Sequence, residues 1–98
     1  MEVEINANRI LLKGELYLQD SELLIHRLKE VLYSSVQQIC IDLNQVTAID
    51  TASLQILLSA RKSAHQLGHT LICTSVSEVV ERALKHTGLD SILLPTNP

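Results

Sequence analysis

The sequence contains no tryptophan and no phenylalanine, and aromatic residues, two tyrosines, make up only 2% of it. Stacking on bases or sugars therefore has almost no material to use. Positive charge is scarce as well. Eight Lys and Arg against eleven Asp and Glu leave a formal net charge of −3, the reverse of a nucleic-acid-binding footprint. No stretch approaches the ~20 apolar residues that span a bilayer. The opening Met-Glu-Val-Glu-Ile-Asn lacks the basic and apolar regions of a secretory leader. The expectation is a cytoplasmic protein with no nucleic-acid partner and no direct membrane insertion. Cysteine is sparse too. Cys40 and Cys73 stand in apolar runs and in no metal-like spacing, so both read as buried free thiols.

Against these absences stands a chain of 98 residues and 10.9 kDa that is 46% hydrophobic. That is enough for one small core and too little for a second, so residues 1–98 are expected to form a single domain. Three glycines and two prolines punctuate it. Glu2 to Ile5 alternates as a half-exposed strand, Asn6-Ala7-Asn8 reads as a turn, and Arg9 to Leu12 reads as a second strand that resumes near Leu16 after Gly14. Asp20 offers a helix cap. Leu24, Ile25, Leu28, Val31 and Leu32 then fall on one face of a helix over 21–33.

Gln38 to Leu43 reads as a buried strand, Asn44-Gln45 as a turn, and Val46 to Ile49 as an extension toward Asp50. A long helical pattern follows, with Gly68 as its stop. Thr70 to Thr74 is another buried strand. Ser75-Val76-Ser77-Glu78 reads as a capping box with Ser75 as N-cap. It opens a helix with Val76, Val79, Val80, Ala83, Leu84 and Thr87 in one arc, ended by Gly88. Ser91 to Leu94 reads as a last strand. The order ββαβαβαβ implies an α/β fold: a small, mainly parallel sheet with an antiparallel hairpin at its edge, packed with three or four helices.

Enzyme constellations are missing from the pattern. The glycines are isolated, so no phosphate-cradling loop is present, and there is no Gly-x-Ser-x-Gly elbow. His65 and His69 are spaced i,i+4, but Gly68 intervenes, and a structural metal site needs about four ligands. Asp42 and Asp50 are the acids near a strand end in the middle of the chain, and an acid pair there would have no base, nucleophile or ligand placed with it. No catalytic residue, no metal site and no cofactor are expected.

The informative segment is Val46-Thr47-Ala48-Ile49-Asp50-Thr51-Ala52-Ser53-Leu54. A buried strand ends there and a long helix opens at once with an acid and hydroxyls. A helix N-terminus exposes free N–H groups and partial positive charge, which suits a phosphate or a partner's carboxylate. A plain N-cap role for Asp50 or Thr51 accounts for the same residues. Further along, Leu57, Ala60, Ala64, Leu67 and Ile56 form the arc expected to face the sheet. Leu54, Leu58, Arg61 and His65 line a flank. That flank reads either as core margin with a snorkelling arginine or as a docking stripe continuous with Thr51.

Asp50-Thr51-Ala52-Ser53-Leu54, preceded by Ile41-Asp42-Leu43-Asn44-Gln45-Val46-Thr47-Ala48-Ile49, resembles the signature of STAS domains, the anti-sigma factor antagonist family. Leu12-Lys13-Gly14-Glu15-Leu16 resembles the family's second strand. Gln66-Leu67-Gly68-His69-Thr70-Leu71 resembles its helix-to-strand turn, and Thr87-Gly88-Leu89 the end of its last helix. The resemblance implies a STAS-like fold and a non-enzymatic, protein-binding switch in a bacterial signalling or partner-switching system. Its partner would be an anti-sigma factor, a Ser/Thr kinase-like protein or a chemotaxis component. In partner-switching members a Ser or Thr at the start of this helix is phosphorylated. Asp50 matches the motif's acid and Thr51 the hydroxyl residue after it, whereas the usual acceptor position is Ala52 here. Thr51 and Ser53 remain as candidate acceptors, and Asp50, Thr51, Ala52, Ser53, Leu54, Leu58 and Arg61 as the partner-binding set. The Asp-Thr-Ala pattern is also similar to the small STAS subunit of lipid-asymmetry ABC transporters, which binds and activates the ATPase subunit.

Overall fold

The structure, a computed structural model, describes residues 1–34 and 37–88. Two strands open the chain, β1 (Glu2–Asn6) and β2 (Arg9–Leu16), followed by a single 3-10 turn at Leu18–Asp20 and helix α1 (Ser21–Leu32). Then come β3 (Gln38–Ile49), α2 (Thr51–Gln66), β4 (Thr70–Val76) and α3 (Glu78–Thr87). The strands form one sheet in the order β1-β2-β3-β4. The β1–β2 pair is antiparallel, while β2–β3 and β3–β4 are parallel. The mixed α/β sheet with an antiparallel hairpin at one edge is the architecture expected. The Ser91–Leu94 strand lies outside the described residues.

The hairpin closes where Asn6 pairs with Arg9, and Ala7 takes a positive φ of 54° to make the tight turn. Strand β2 runs on to Leu16 without a break. Gly14, at φ 85°, stands beside a register shift against β3. A bulge residue in the left-handed region favours glycine, which has no Cβ to clash there.

Burial alternates along β3: Ile39, Ile41 and Leu43 have no solvent exposure, whereas Gln38 is exposed and Cys40 and Asp42 are half-buried. The buried row packs with Leu24, Leu28, Val31 and Leu32 of α1, with Leu54, Leu57, Ala60 and Ala64 of α2, and with Val80 and Leu84 of α3. Each of the leucines, isoleucines and valines among them contributes about 1.5–3 kcal/mol on leaving water. The sheet grows in one direction through two crossovers, so their right-handed sense places α1 and α2 on one side, and the two helices touch. No described helix is long and apolar enough to cross a membrane.

Several local expectations are corrected. Asn44-Gln45 is not a turn, because Gln45 pairs with Lys13 and Val46 with Gly14, so β3 continues as one twelve-residue strand. The turn signal survives as an irregularity, with the Asn44 N–H donating to Asp42 Oδ1 at 2.9 Å. Ser75 is not the cap of α3. Ser75 and Val76 pair with Asp42 and Leu43, so the strand runs two residues longer and Ser77 becomes the N-cap, its Oγ accepting from the Val80 N–H at 3.4 Å. Asp20 precedes α1 but makes no side-chain cap. Its Oδ2 accepts from the Tyr17 N–H at 3.4 Å and closes the 3-10 turn instead. Ile25 and Leu67, placed on buried arcs, are 39% and 42% exposed. Both cysteines are free, but only Cys73 is buried, and burial pushes its thiol up to about 11.

Candidate functional site

The parallel strands β2 and β3 finish side by side, with Leu16 paired to Ile49. The chain leaves this end of the sheet through two adjoining features, the 3-10 turn after β2 and α2 after β3. In parallel α/β sheets the carboxyl ends of the strands are where binding residues gather, because the loops there are free to vary.

Asp50 joins the two features. Its N–H donates to the Leu16 carbonyl at 3.1 Å, continuing the ladder by one bond. Its Oδ1 accepts from the Ser53 N–H at 2.8 Å, which makes it the N-cap of α2. Its Oδ2 accepts from the Leu18 N–H, also at 2.8 Å. Desolvation pushes the Asp50 carboxyl up, but the hydrogen bonds from Ser53 and Leu18 outweigh it and hold the group below the ordinary carboxylate range. At neutral pH this end of α2 carries a fixed carboxylate whose oxygens both face their own chain.

The neighbours of Asp50 divide sharply. Thr51 is exposed and Ala52 is half-buried, both at the helix end where N–H groups lack an intrahelical acceptor. Ser53 and Leu54 are each only 1% exposed. Both were expected at the partner surface, and both sit in the core: position 53 points inward once position 50 caps the helix, and Leu54 joins the same buried row as Leu57. The Ser53 Oγ is buried without a hydrogen-bond partner. On the flank Leu58 is half-buried, and Arg61 and His65 are exposed. The structure thus brings Asp50, Thr51 and Ala52 together at one tip, with Leu58 and Arg61 further along the helix, and withdraws Ser53 and Leu54.

Leu18 was missed by the sequence pattern. It is 62% exposed on the 3-10 turn, and its N–H is bound to Asp50. In the sequence it reads as one more apolar residue after a strand, with nothing to mark its exposure. Tyr17 beside it has its hydroxyl pKa raised, first by a hydrogen bond with Glu15, then by the Glu15 charge, by desolvation and last by the Asp50 charge.

Asp42 pairs with Arg9 at 3.5 Å, so it does not form an acid pair with Asp50. His69 donates its N–H to the Ala64 carbonyl at 2.8 Å beyond the end of α2, and its Nδ1 is buried without a partner. Among the described residues no group of three or more His, Cys, Asp or Glu could hold a metal ion. An apolar groove of about 290 Å³ lies between α1 and α2, lined in part by Ile25, Leu28, Ile56 and Ala60.

The family model described as "Mlab, STAS domain" matches residues 2–95. No curated protein sequence is significantly similar to the chain. Among solved structures, a putative anti-sigma factor antagonist from Thermotoga maritima is 26% identical, with 99% of this chain and 86% of that one covered at a TM-score of 0.77. The anti-sigma factor antagonist SpoIIAA in its unphosphorylated form is 15% identical, with 98% and 87% covered and a TM-score of 0.75. The phosphorylated form, from Bacillus, is 14% identical, with 98% and 90% covered and a TM-score of 0.68. A chain in the Pseudomonas aeruginosa complex of the diguanylate cyclase SiaD with its activator SiaC is 17% identical, with 95% and 85% covered and a TM-score of 0.62.

Proposed function

Because this chain belongs to the STAS domain family, we propose that it is a non-enzymatic regulatory module that grips a protein partner through the open end of α2. The observation that carries this reading is the exposure of Thr51 at a helix tip whose capping carboxylate, Asp50, is turned inward to Ser53 and Leu18. A partner meets a hydroxyl and free N–H groups there, with Leu58 and Arg61 further along the same helix. Arginine beside aliphatic surface is a common composition for protein interfaces.

Thr51 is the candidate modification site. A phosphoryl group on it would set a dianion beside the Asp50 carboxylate and alter the surface the partner meets. Ser53, buried at 1% exposure, would have to leave the core before a kinase could reach it. The system proposed is a bacterial partner-switching or signalling pathway, with an anti-sigma factor, a Ser/Thr kinase-like protein or a chemotaxis component as the partner. A second reading is a STAS subunit that activates the ATPase of a lipid-asymmetry ABC transporter. The family description "Mlab" and alanine at position 52 favour it, since contact through Thr51 then requires no phosphorylation.

Affinity capture of the tagged chain from its native cells separates the two. The signalling reading expects a kinase-like, anti-sigma or chemotaxis protein in the eluate; the transporter reading expects an ABC ATPase whose ATP turnover the chain raises. In titration calorimetry with the captured partner, Thr51→Glu should weaken binding by about tenfold or more. Unchanged affinity for both Thr51→Glu and Arg61→Glu would overturn the docking surface.

A further inference from the structure

We infer that Leu18 is the apolar anchor of the docking face, and that Asp50 is the positioning residue that holds it beside Thr51. The inference rests on the docking reading above and gives it a second, apolar element and a chemistry for the partner.

Leu18 is exposed but not loose. Its N–H is held by Asp50 Oδ2 at 2.8 Å, and the turn it starts is closed by the Asp20 N–H to the Tyr17 carbonyl at 2.8 Å and by the Tyr17 N–H to Asp20 Oδ2 at 3.4 Å. An aliphatic side chain on backbone fixed in this way loses little freedom when a partner covers it, the condition under which apolar contact yields affinity. Because Asp50 immediately precedes Thr51, the bond to Leu18 sets the two candidate contacts next to each other. The carboxylate of Asp50 ties the turn to the helix, with Oδ2 on the Leu18 N–H and Oδ1 on the Ser53 N–H in the first turn of α2.

Charge selects the partner. Between Lys13 and Arg27 the chain carries Glu15, Asp20 and Glu22 and, apart from His26, no basic side chain. Lys13 is itself paired with Glu4 at 3.2 Å, and Arg27 with Glu30 at 3.0 Å. The charged side chains nearest Leu18 in the chain are therefore acidic, and Arg61, further along α2, is the basic one of the docking face. The fitting occupant is a protein with an apolar pocket ringed by Lys or Arg; an anionic lipid surface or a nucleic acid would be repelled.

Asp50→Asn tests the positioning role. An asparagine carbonyl still accepts from the Ser53 N–H and caps the helix, but its amide nitrogen cannot accept from the Leu18 N–H. The full-length chain, carrying the photocrosslinker p-benzoylphenylalanine in place of Leu18, is irradiated in its native cells. A discrete protein adduct is expected. It should disappear with Thr51→Arg, which sets a like charge against a basic partner, fall by about tenfold with Asp50→Asn, and weaken as salt is raised in a lysate. The same crosslinker at Tyr33, 71% exposed on the far end of α1, should give no such adduct. Amide exchange at Leu18 should speed up in Asp50→Asn while the α2 amides keep their protection.

An adduct that survives Thr51→Arg, or that also forms from position 33, overturns Leu18 as part of this face. No adduct at 18 alongside Thr51-dependent capture overturns Leu18 alone and leaves the docking reading standing. Absence of both removes the docking reading too. Unchanged Leu18 exchange and adduct yield in Asp50→Asn overturn the positioning role, and an adduct indifferent to salt overturns the basic partner.

Discussion

Asp50 and Ser53 are three residues apart and share one hydrogen bond, yet they divide the work of the tip between them. Asp50 uses both oxygens on backbone N–H groups, one at the start of α2 and one on the 3-10 turn. Its capping role was legible in the sequence, since an acid before a long amphipathic run is the usual N-cap. The bond to Leu18, across 32 residues of chain, was not, because no local pattern encodes it. Ser53 is the reverse case. Its hydroxyl suggested a surface role, but its Oγ is buried with no hydrogen bond of good geometry, Asp50 being its polar neighbour, and a buried hydroxyl left so costs a folded protein about 1–3 kcal/mol. Ser53→Ala removes that group, and alanine is the better helix former. The variant should be more stable by about 1 kcal/mol, a rise of roughly 4–8 °C in melting temperature for a domain this size, read by circular dichroism. A variant less stable than the natural chain would mean that the hydroxyl has a partner.

Elements were legible where apolar spacing was long and regular. The helical patterns of α1 and α2 were of this kind, and glycine at φ 81° after α2 and 76° after α3 ends those helices as expected. Short polar signals misled where strand pairing overrode them. Asn44-Gln45 has turn chemistry and Ser75-x-x-Glu78 has capping chemistry, but both stretches lie beside a neighbouring strand whose ladder takes up their backbone groups. Gly14 was read as an interruption of β2, and the sheet uses it as a bulge. A Cβ added there meets nothing within 4 Å, so the cost of Gly14→Ala comes from its φ of 85° alone. That cost is about 1–2 kcal/mol, and chemical denaturation should find the loss at that size. An equally stable variant would show that the strand relaxes out of the left-handed conformation.

At the scale of the whole molecule, the link between Asp50 and two separate segments makes global stability depend on acid. The folded-state pKa of Asp50 lies below its unfolded value. Its stabilising contribution is therefore fully present above about pH 4, near the unfolded value of an aspartate, and fades as pH falls through the lower folded value. Denaturation profiles of the natural chain and Asp50→Asn should differ most near neutrality and converge in acid. A constant gap from pH 7 to pH 3 would exclude the carboxylate as the source.

Composition and periodicity settled the class of this protein, because burying apolar residues at spacings of two and 3.6 admits few arrangements for so short a chain. The ββαβαβα order of the described residues follows from that spacing, as does the helix that starts after Asp50. Which hydroxyls face solvent, and which leucine stands beside them, depends on contacts between segments far apart in the chain. Ser53 and Leu54 were withdrawn by packing, and Leu18 was brought out by a turn anchored to a carboxylate on another element. A surface is a property of the packed chain, since each side chain's exposure is set by what the rest of the molecule lays against it.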